Sequence, residues 1–252
     1  MKKVGIMSMQ RIANYGSFLQ AYALKQLIEE LGHKVEFVDY HVGAPVIAEN
    51  ADSKNKFVRK LEKGLETFRY QAPPSHKFSF IRYKQSFAKK YMPLLGITDE
   101  MNYNPTLDSL VIGSDEVFNC IQKNSNVGYS TELLGKDNHA DRVITYAASF
   151  GNTTLEKLEK YQKANEIGNL LKKFDAISVR DANSGSIVEQ LTGEEPVYNL
   201  DPVLTYDYMN CCNRIPQIKA TEKYLILYAY AGRISNDEAD WIAEYAKRKN
   251  LK

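Results

Sequence analysis

The stretch from Val4 to Tyr40, VGIMSMQRIANYGSFLQAYALKQLIEELGHKVEFVDY, restricts the fold more than any other part of the chain. Val4 to Met7 is a short apolar run between Lys3 and Ser8, the pattern of a strand buried on both faces of a parallel sheet. Asn14-Tyr15-Gly16-Ser17 follows, with side chains that cap helices and a glycine that tolerates positive φ. Phe18, Leu19, Tyr22, Leu24, Ile28 and Leu31 then recur at helical spacing, and Gly32 closes the helix before a second strand reaches Tyr40. Strand, loop, helix and strand make one βαβ unit, and its first loop lies where such units bind ligands.

The same alternation continues. Leu107 to Ile112 reads as a strand running into the small-residue turn Gly113-Ser114-Asp115, and Val143 to Ala148 as another ending at Ser149-Phe150-Gly151. Asn152 or Thr153 is placed to cap one helix carrying Leu155, Leu158, Tyr161, Ile167, Leu170 and Leu171. A shorter strand over 176–179 ends at Arg180-Asp181, a helix over 182–191 stops at Gly193, and a strand over 197–200 is turned out of the sheet by Asp201-Pro202. Strands joined by short helical crossovers predict an α/β fold, a doubly wound, Rossmann-like parallel sheet, over residues 1–205. Residues 206–222 read as a linker. Tyr224 to Tyr230 reads as a strand and Asn236 to Lys249 as a helix with Trp241, Ile242 and Tyr245 on one face, so 223–252 has the pattern of the start of a second α/β domain.

Residues 44–98 read as an insertion on the core fold, with helical stretches over 53–70 and 75–91 separated by Ala72-Pro73-Pro74. Charge concentrates here. Lys54 to Lys90 holds eleven Lys or Arg against Glu62 and Glu66, so this segment carries +9 and the remainder −7 of a net +2. Aromatic residues interleave with these cations, and the segment could dock on an anionic surface such as lipid head groups, as well as form a solvated helix face. Without a DNA or RNA motif it does not indicate nucleic acid. No apolar run approaches the ~20 residues of a membrane span, and a cytoplasmic protein with peripheral contact to an anionic membrane is expected. The three cysteines lack zinc or redox spacing and are expected to be reduced. No metal site is expected, since Asp39, Asp115, Asp181 and Asp201 lack ligand spacing.

In open parallel sheets ligands bind outside the carboxyl ends of the strands. Asn14, Tyr15, Gly16, Ser17, Gly113, Ser114, Asp115, Ser149, Arg180 and Asp181 occupy those positions and are the candidate site residues. Each alone also fits a structural role as a cap, a turn or an ion-pair partner.

Taken together, NYGSFLQAYAL with LGHKVEFVDY, then LVIGSDEVFN, ITYAASFG, AISVRDANS and LDPVLT, the chain resembles the polysaccharide pyruvyl transferase family from Val4 to about Thr205. The resemblance implies a GT-B-like enzyme. It would move the enolpyruvyl carbons of phosphoenolpyruvate onto two hydroxyls of a sugar, forming a ketal in a cell-surface glycan. Its partners would be phosphoenolpyruvate and a glycan or lipid-linked sugar acceptor, with no cofactor. Arg180, in SVRD, matches the family's Ser-x-Arg-Glu/Asp motif and is expected to hold the donor's anionic groups. Asp115, in the Gly-Ser-Asp motif, is expected to orient or deprotonate an acceptor hydroxyl, while Asn14 to Ser17 line the cleft. Family members also carry an Arg/His motif in the second domain, which none of His33, His41, His76 and His139 matches. The chain by itself is therefore expected to lack the general acid and to be inactive. Two rival readings share these features: a nucleotide-sugar glycosyltransferase of GT-B type, and a non-catalytic domain that binds anionic glycans or lipid surfaces.

Overall fold

A computed structural model describes residues 1–47, 74–122, 127–209, 211, 223–227, 229 and 234–251. Six strands form one parallel sheet: β1 (Lys3–Met7), β2 (Lys34–Phe37), β3 (Leu107–Asp115), β4 (Ala140–Ala148), β5 (Ser178–Val179) and β6 (Val197–Tyr198). Their order is β2-β1-β3-β4-β5-β6, so the chain winds one way from β1 to β2 and then returns to the other side of β1. The sheet is open and doubly wound, as the alternation of apolar runs and helical patterns predicts. Its switch point lies between β1 and β3.

Helix α1 (Tyr15–Glu30) begins where the loop after β1 ends. Asn14 has extended φ/ψ, and its side-chain oxygen accepts from the N–H groups of Gly16 (2.7 Å) and Ser17 (3.3 Å), satisfying donors that the first turn leaves without helical partners. Phe18, Ala21, Tyr22 and Leu24 are buried. Leu31 departs from the expected apolar face: it is the C-cap and 75% exposed, because Gly32 at φ 83 ends the helix there. Helix α2 (Pro74–Leu95) packs its buried Phe87, Met92 and Leu95 inward, with Phe87 against Phe18 of α1. The expected helix over 53–70 lies outside the described residues.

The single helix expected after Gly151 is instead two, α3 (Leu155–Lys160) and α4 (Ala164–Leu171), with Thr154 as the first cap rather than Asn152 or Thr153. Gln162 adopts φ 57 and Lys163 N–H returns to the Leu158 carbonyl at 2.7 Å, which closes α3 and redirects the chain. The redirection lets Leu158, Ile167 and Leu171 all reach the core formed with Ile112, Phe118, Phe150 and Val179. Buried this fully, each such side chain contributes about 1.5–3 kcal/mol of hydrophobic stabilisation. Helix α5 (Ala182–Thr192) is capped by Asp181 and ends at Gly193, φ 83; the short α6 (Pro202–Thr205) follows.

The chain divides into two compact units, Met1–Tyr206 and Asp207–Lys252. In the second, α7 (Asn236–Arg248) opens with a capping box in which Ser235 and Glu238 satisfy each other's backbone N–H groups. The strand expected over 224–230 is not formed at residues 223–227, and residues 228 and 230 lie outside the described set. Tyr224, Ile226 and Leu227 are 51%, 76% and 54% exposed. Strand propensity needs a paired neighbour to be realised, and among the described residues none adjoins them.

Candidate functional site

The carboxyl ends of β1 and β3 meet at the switch point, and there polar side chains from five stretches of the chain come together in one ring. Gly113 approaches β4 so closely that a Cβ would strike the Tyr146 carbonyl oxygen, and its φ of 125 suits glycine alone. The residue after next, Asp115, has φ 85, a region that Asp enters more readily than bulky residues. Its backbone is held from β4: Ser149 N–H donates to the Asp115 carbonyl at 3.0 Å.

From this turn the Asp115 carboxylate accepts two long-range contacts. Ser17 Oγ, in the first turn of α1, donates to Oδ2 at 3.0 Å, and Arg180 Nη2 approaches Oδ1 at 3.4 Å. Arg180 stands just past β5. Its Nη1 donates to Asp201 Oδ2 at 2.7 Å, and Ser114 Oγ donates to the same oxygen at 3.2 Å. Asp201 meanwhile caps α6 through Oδ1, which accepts from Val203 N–H at 3.0 Å. Ser8 and Gln20 close the ring on the inside. Gln20 Nε2 donates to Ser8 Oγ (3.0 Å) and to the Ser17 carbonyl (3.1 Å), and Ser8 Oγ donates to the Ser114 carbonyl (2.9 Å). Ser8, Gln20 and Ser114 are buried, whereas Arg180, Asp115 and Asp201 keep 26%, 20% and 23% of their side chains exposed. The charged members therefore face outward from a buried polar base.

Two carboxylates share one guanidinium here. The ring carries a net charge of −1 with both acids ionised, and the carboxylates can accept hydrogen bonds from hydroxyl groups. Among the described residues, the contacts with Asp115 and Asp201 engage two of the five N–H groups of Arg180, leaving donors for an anion. The arrangement suits a ligand that presents hydroxyls and an anionic group together.

The remaining sequence candidates stand apart from the ring in different ways. Ser149 is buried, with Oγ accepting from Gly151 N–H (2.9 Å), and Asp181 is occupied by Ser184 N–H (2.8 Å) and Ser184 Oγ (2.9 Å). Asn14 spends its side chain on the α1 cap, and Gly16 is part of that cap. Tyr15 turns to α2, packing against Tyr83, Phe87 and Tyr91 with ring centroids 5.4–5.5 Å away. Its hydroxyl lies 3.4 Å from that of Tyr91, a contact that, with burial, pushes the Tyr15 phenol up to about 12.

Sequence reasoning missed Ser8, Gln20 and Asp201 as site residues. Asp201 had one usable signal, since Asp before Pro both caps a helix and follows a strand end. Ser8 and Gln20 had none. Outside the ring a buried acid, Asp39, is gripped by Arg11 through Nε (2.6 Å) and Nη2 (2.7 Å) and also accepts from Asn102 N–H. The Arg11 guanidinium is raised above its ordinary value by that hydrogen bonding. Arg11 also donates to the carbonyls of Thr98 and Glu100, so this pair ties the loop after β1 to the chain preceding β3.

Two cavities bear on the choice of site. One of about 40 Å³ is lined in part by Ser8, Gln10, Arg11 and Asp39, next to the ring, and holds little more than a water molecule. A larger one, about 330 Å³, is lined by Asp175, Ile177, Thr192, Glu194 and Pro196 at the amino ends of β5 and β6. Of its carboxylates, Asp175 is already bound by Val143 N–H at 2.7 Å. Topology and chemistry favour the ring over the larger volume, because ligands of parallel sheets bind at the carboxyl ends of the strands.

Fold and ring together define an α/β protein with a ring of polar side chains at the switch point of its sheet. The family model described as polysaccharide pyruvyl transferase matches residues 14–249, and the chain belongs to that family. No curated protein and no solved structure matches it. The family makes it a transferase with a pyruvate donor and a sugar or glycan acceptor. Among the described residues, no helix is long and apolar enough to cross a membrane.

Proposed function

We propose that the protein transfers pyruvate from phosphoenolpyruvate to two hydroxyls of a glycan sugar, forming a ketal, with the Asp115–Arg180 ring as part of the reaction centre. The observation that carries this reading is the junction of Ser17, Asp115, Arg180 and Asp201 at the switch point. In the reaction the donor's methylene carbon gains a proton and becomes methyl. The C2–O bond to phosphate breaks, and two C2–O bonds to the sugar form. The two hydroxyls lose two protons, so one proton is transferred on balance to the methyl group and one leaves with phosphate or to solvent.

Asp115 is suited to orient an attacking hydroxyl and to take its proton, because Ser17 and Arg180 hold its carboxylate in place. Arg180 is suited to hold the donor carboxylate or phosphate with its remaining N–H groups while restraining both acids. Asp201, itself held by the Ser114 hydroxyl, anchors one end of the guanidinium. Helix α1 adds the partial positive charge of its N-terminus, and no acidic side chain occupies its first turn.

Thermal denaturation with ligand tests the reading. At ten times its Kd, phosphoenolpyruvate stabilises the native state by about 1.4 kcal/mol, which raises Tm by about 3–6 °C for a domain of this size. Arg180→Ala removes that shift. Stabilisation by nucleotide-diphosphate sugars with none from phosphoenolpyruvate would replace this reading with glycosyl transfer.

A further inference from the structure

We infer that the outer face of α2 is a docking surface for an anionic lipid bilayer. The helix Pro74–Leu95 contains five Lys or Arg and no Asp or Glu. Its inner face is already spent: Phe87 is buried, and Tyr83 and Tyr91 on either side of it join Tyr15 and Phe18 in the aromatic cluster. The other face projects Phe78, Ile81, Arg82 and Lys89. Phe78 is 74% and Ile81 45% exposed, and Arg82 and Lys89 are exposed beside them.

At 100° per residue, Phe78, Ile81, Arg82 and Lys89 fall within about one third of the helix circumference. A buried inner stripe with an outer stripe that is both basic and apolar is the composition of a helix lying in a membrane interface. Its cations meet anionic head groups while its apolar side chains enter the acyl boundary. A solvated helix face has no need of an exposed Phe and Ile. The inference does not depend on pyruvyl transfer.

Charge complementarity selects the occupant. Among the described residues, no carboxylate pairs with Arg82 or Lys89. A polyanionic surface pairs with both of these cations. A lipid surface, unlike a soluble polyanion, also accommodates Phe78 and Ile81.

Cosedimentation with vesicles decides it. The full chain should bind vesicles containing phosphatidylglycerol at low salt, lose binding at high salt, and ignore pure phosphatidylcholine. Arg82→Glu with Lys89→Glu should weaken binding at least about ten-fold. Phe78→Ser with Ile81→Ser should weaken it several-fold, with far-UV circular dichroism unchanged in both variants. A Phe78→Trp variant in a Trp241→Phe background should shift its emission to the blue on anionic vesicles, which reports insertion of the outer face even if other variants fold poorly. The inference is overturned by failure of the wild type to bind anionic vesicles at low salt. It is equally overturned if the serine variant and the Trp emission are indifferent to vesicles, which would make the face a general polyanion surface.

Discussion

Replacing Arg180 by Gln removes the one cation between two carboxylates, and the structure sets the size of the effect. A fully buried charge-assisted hydrogen bond contributes about 1.5–3 kcal/mol, and an exposed ion pair about 0–1 kcal/mol. Arg180 and Asp201 are 26% and 23% exposed and joined at 2.7 Å, which places their contact between those limits. We assign it ~1–2 kcal/mol. The 3.4 Å approach to Asp115 is at the long end of hydrogen-bond geometry and adds only a few tenths of a kcal/mol. Arg180→Gln should therefore cost about 2 kcal/mol, or roughly 4–8 °C in Tm. Asp201→Asn should cost about 1 kcal/mol, since Asn still caps a helix. The double variant should cost about 2 rather than 3 kcal/mol, because removing the second charge relieves the repulsion that the first substitution exposes. Urea unfolding followed by far-UV circular dichroism measures this cycle. The single tryptophan, Trp241, lies in the other compact unit and is 62% exposed, so its fluorescence does not follow the sheet. Additivity within about 0.3 kcal/mol would refute the coupling and with it the ring as a unit.

Two further outcomes follow from single groups. Asn14→Ala strips the cap from Gly16 and Ser17 and should destabilise the protein by about 1 kcal/mol, while Asn14→Asp retains the acceptor and stays close to wild type in the same urea titration. Burial pushes the Cys120 thiol up from 9.0 to about 12, so the folded state holds it neutral where the unfolded chain would ionise. Its contribution to stability is complete below pH 9.0 and is lost as pH rises from there to about 12. Buried Tyr40 and Tyr129, also raised, act in the same direction. Cys120→Ser should flatten the alkaline limb of stability against pH, and native Cys120 should resist iodoacetamide at pH 8.

Much of the fold was legible because its signals are local. Apolar runs ending in Ser, Gly or Asp marked the strand ends, and Gly32 and Gly193 stand where helices stop, each at φ 83. Asn14 is the cap that its neighbours predicted. Where the reading departed, the reason lay outside the segment. The apolar run 224–227 finds no partner strand among the described residues. The run from Leu155 to Leu171 bends at Gln162, a polar residue whose left-handed turn has no sequence signature.

The candidate site divides along the same line. Sequence alone determined the β-α-β order and the small polar residues at the ends of β1, β3, β4 and β5, because periodicity and turn chemistry act over a few residues. Tertiary structure decided which of them meet. Asp115 lies 98 residues from Ser17 and 65 from Arg180, and Arg180 lies 21 from Asp201. Only the crossing of the chain between β1 and β3 brings them within hydrogen-bond reach. The same packing withdrew Ser149 and Asp181 into backbone and capping duties and recruited Ser8 and Gln20, whose place in the ring is set by the sheet that surrounds them.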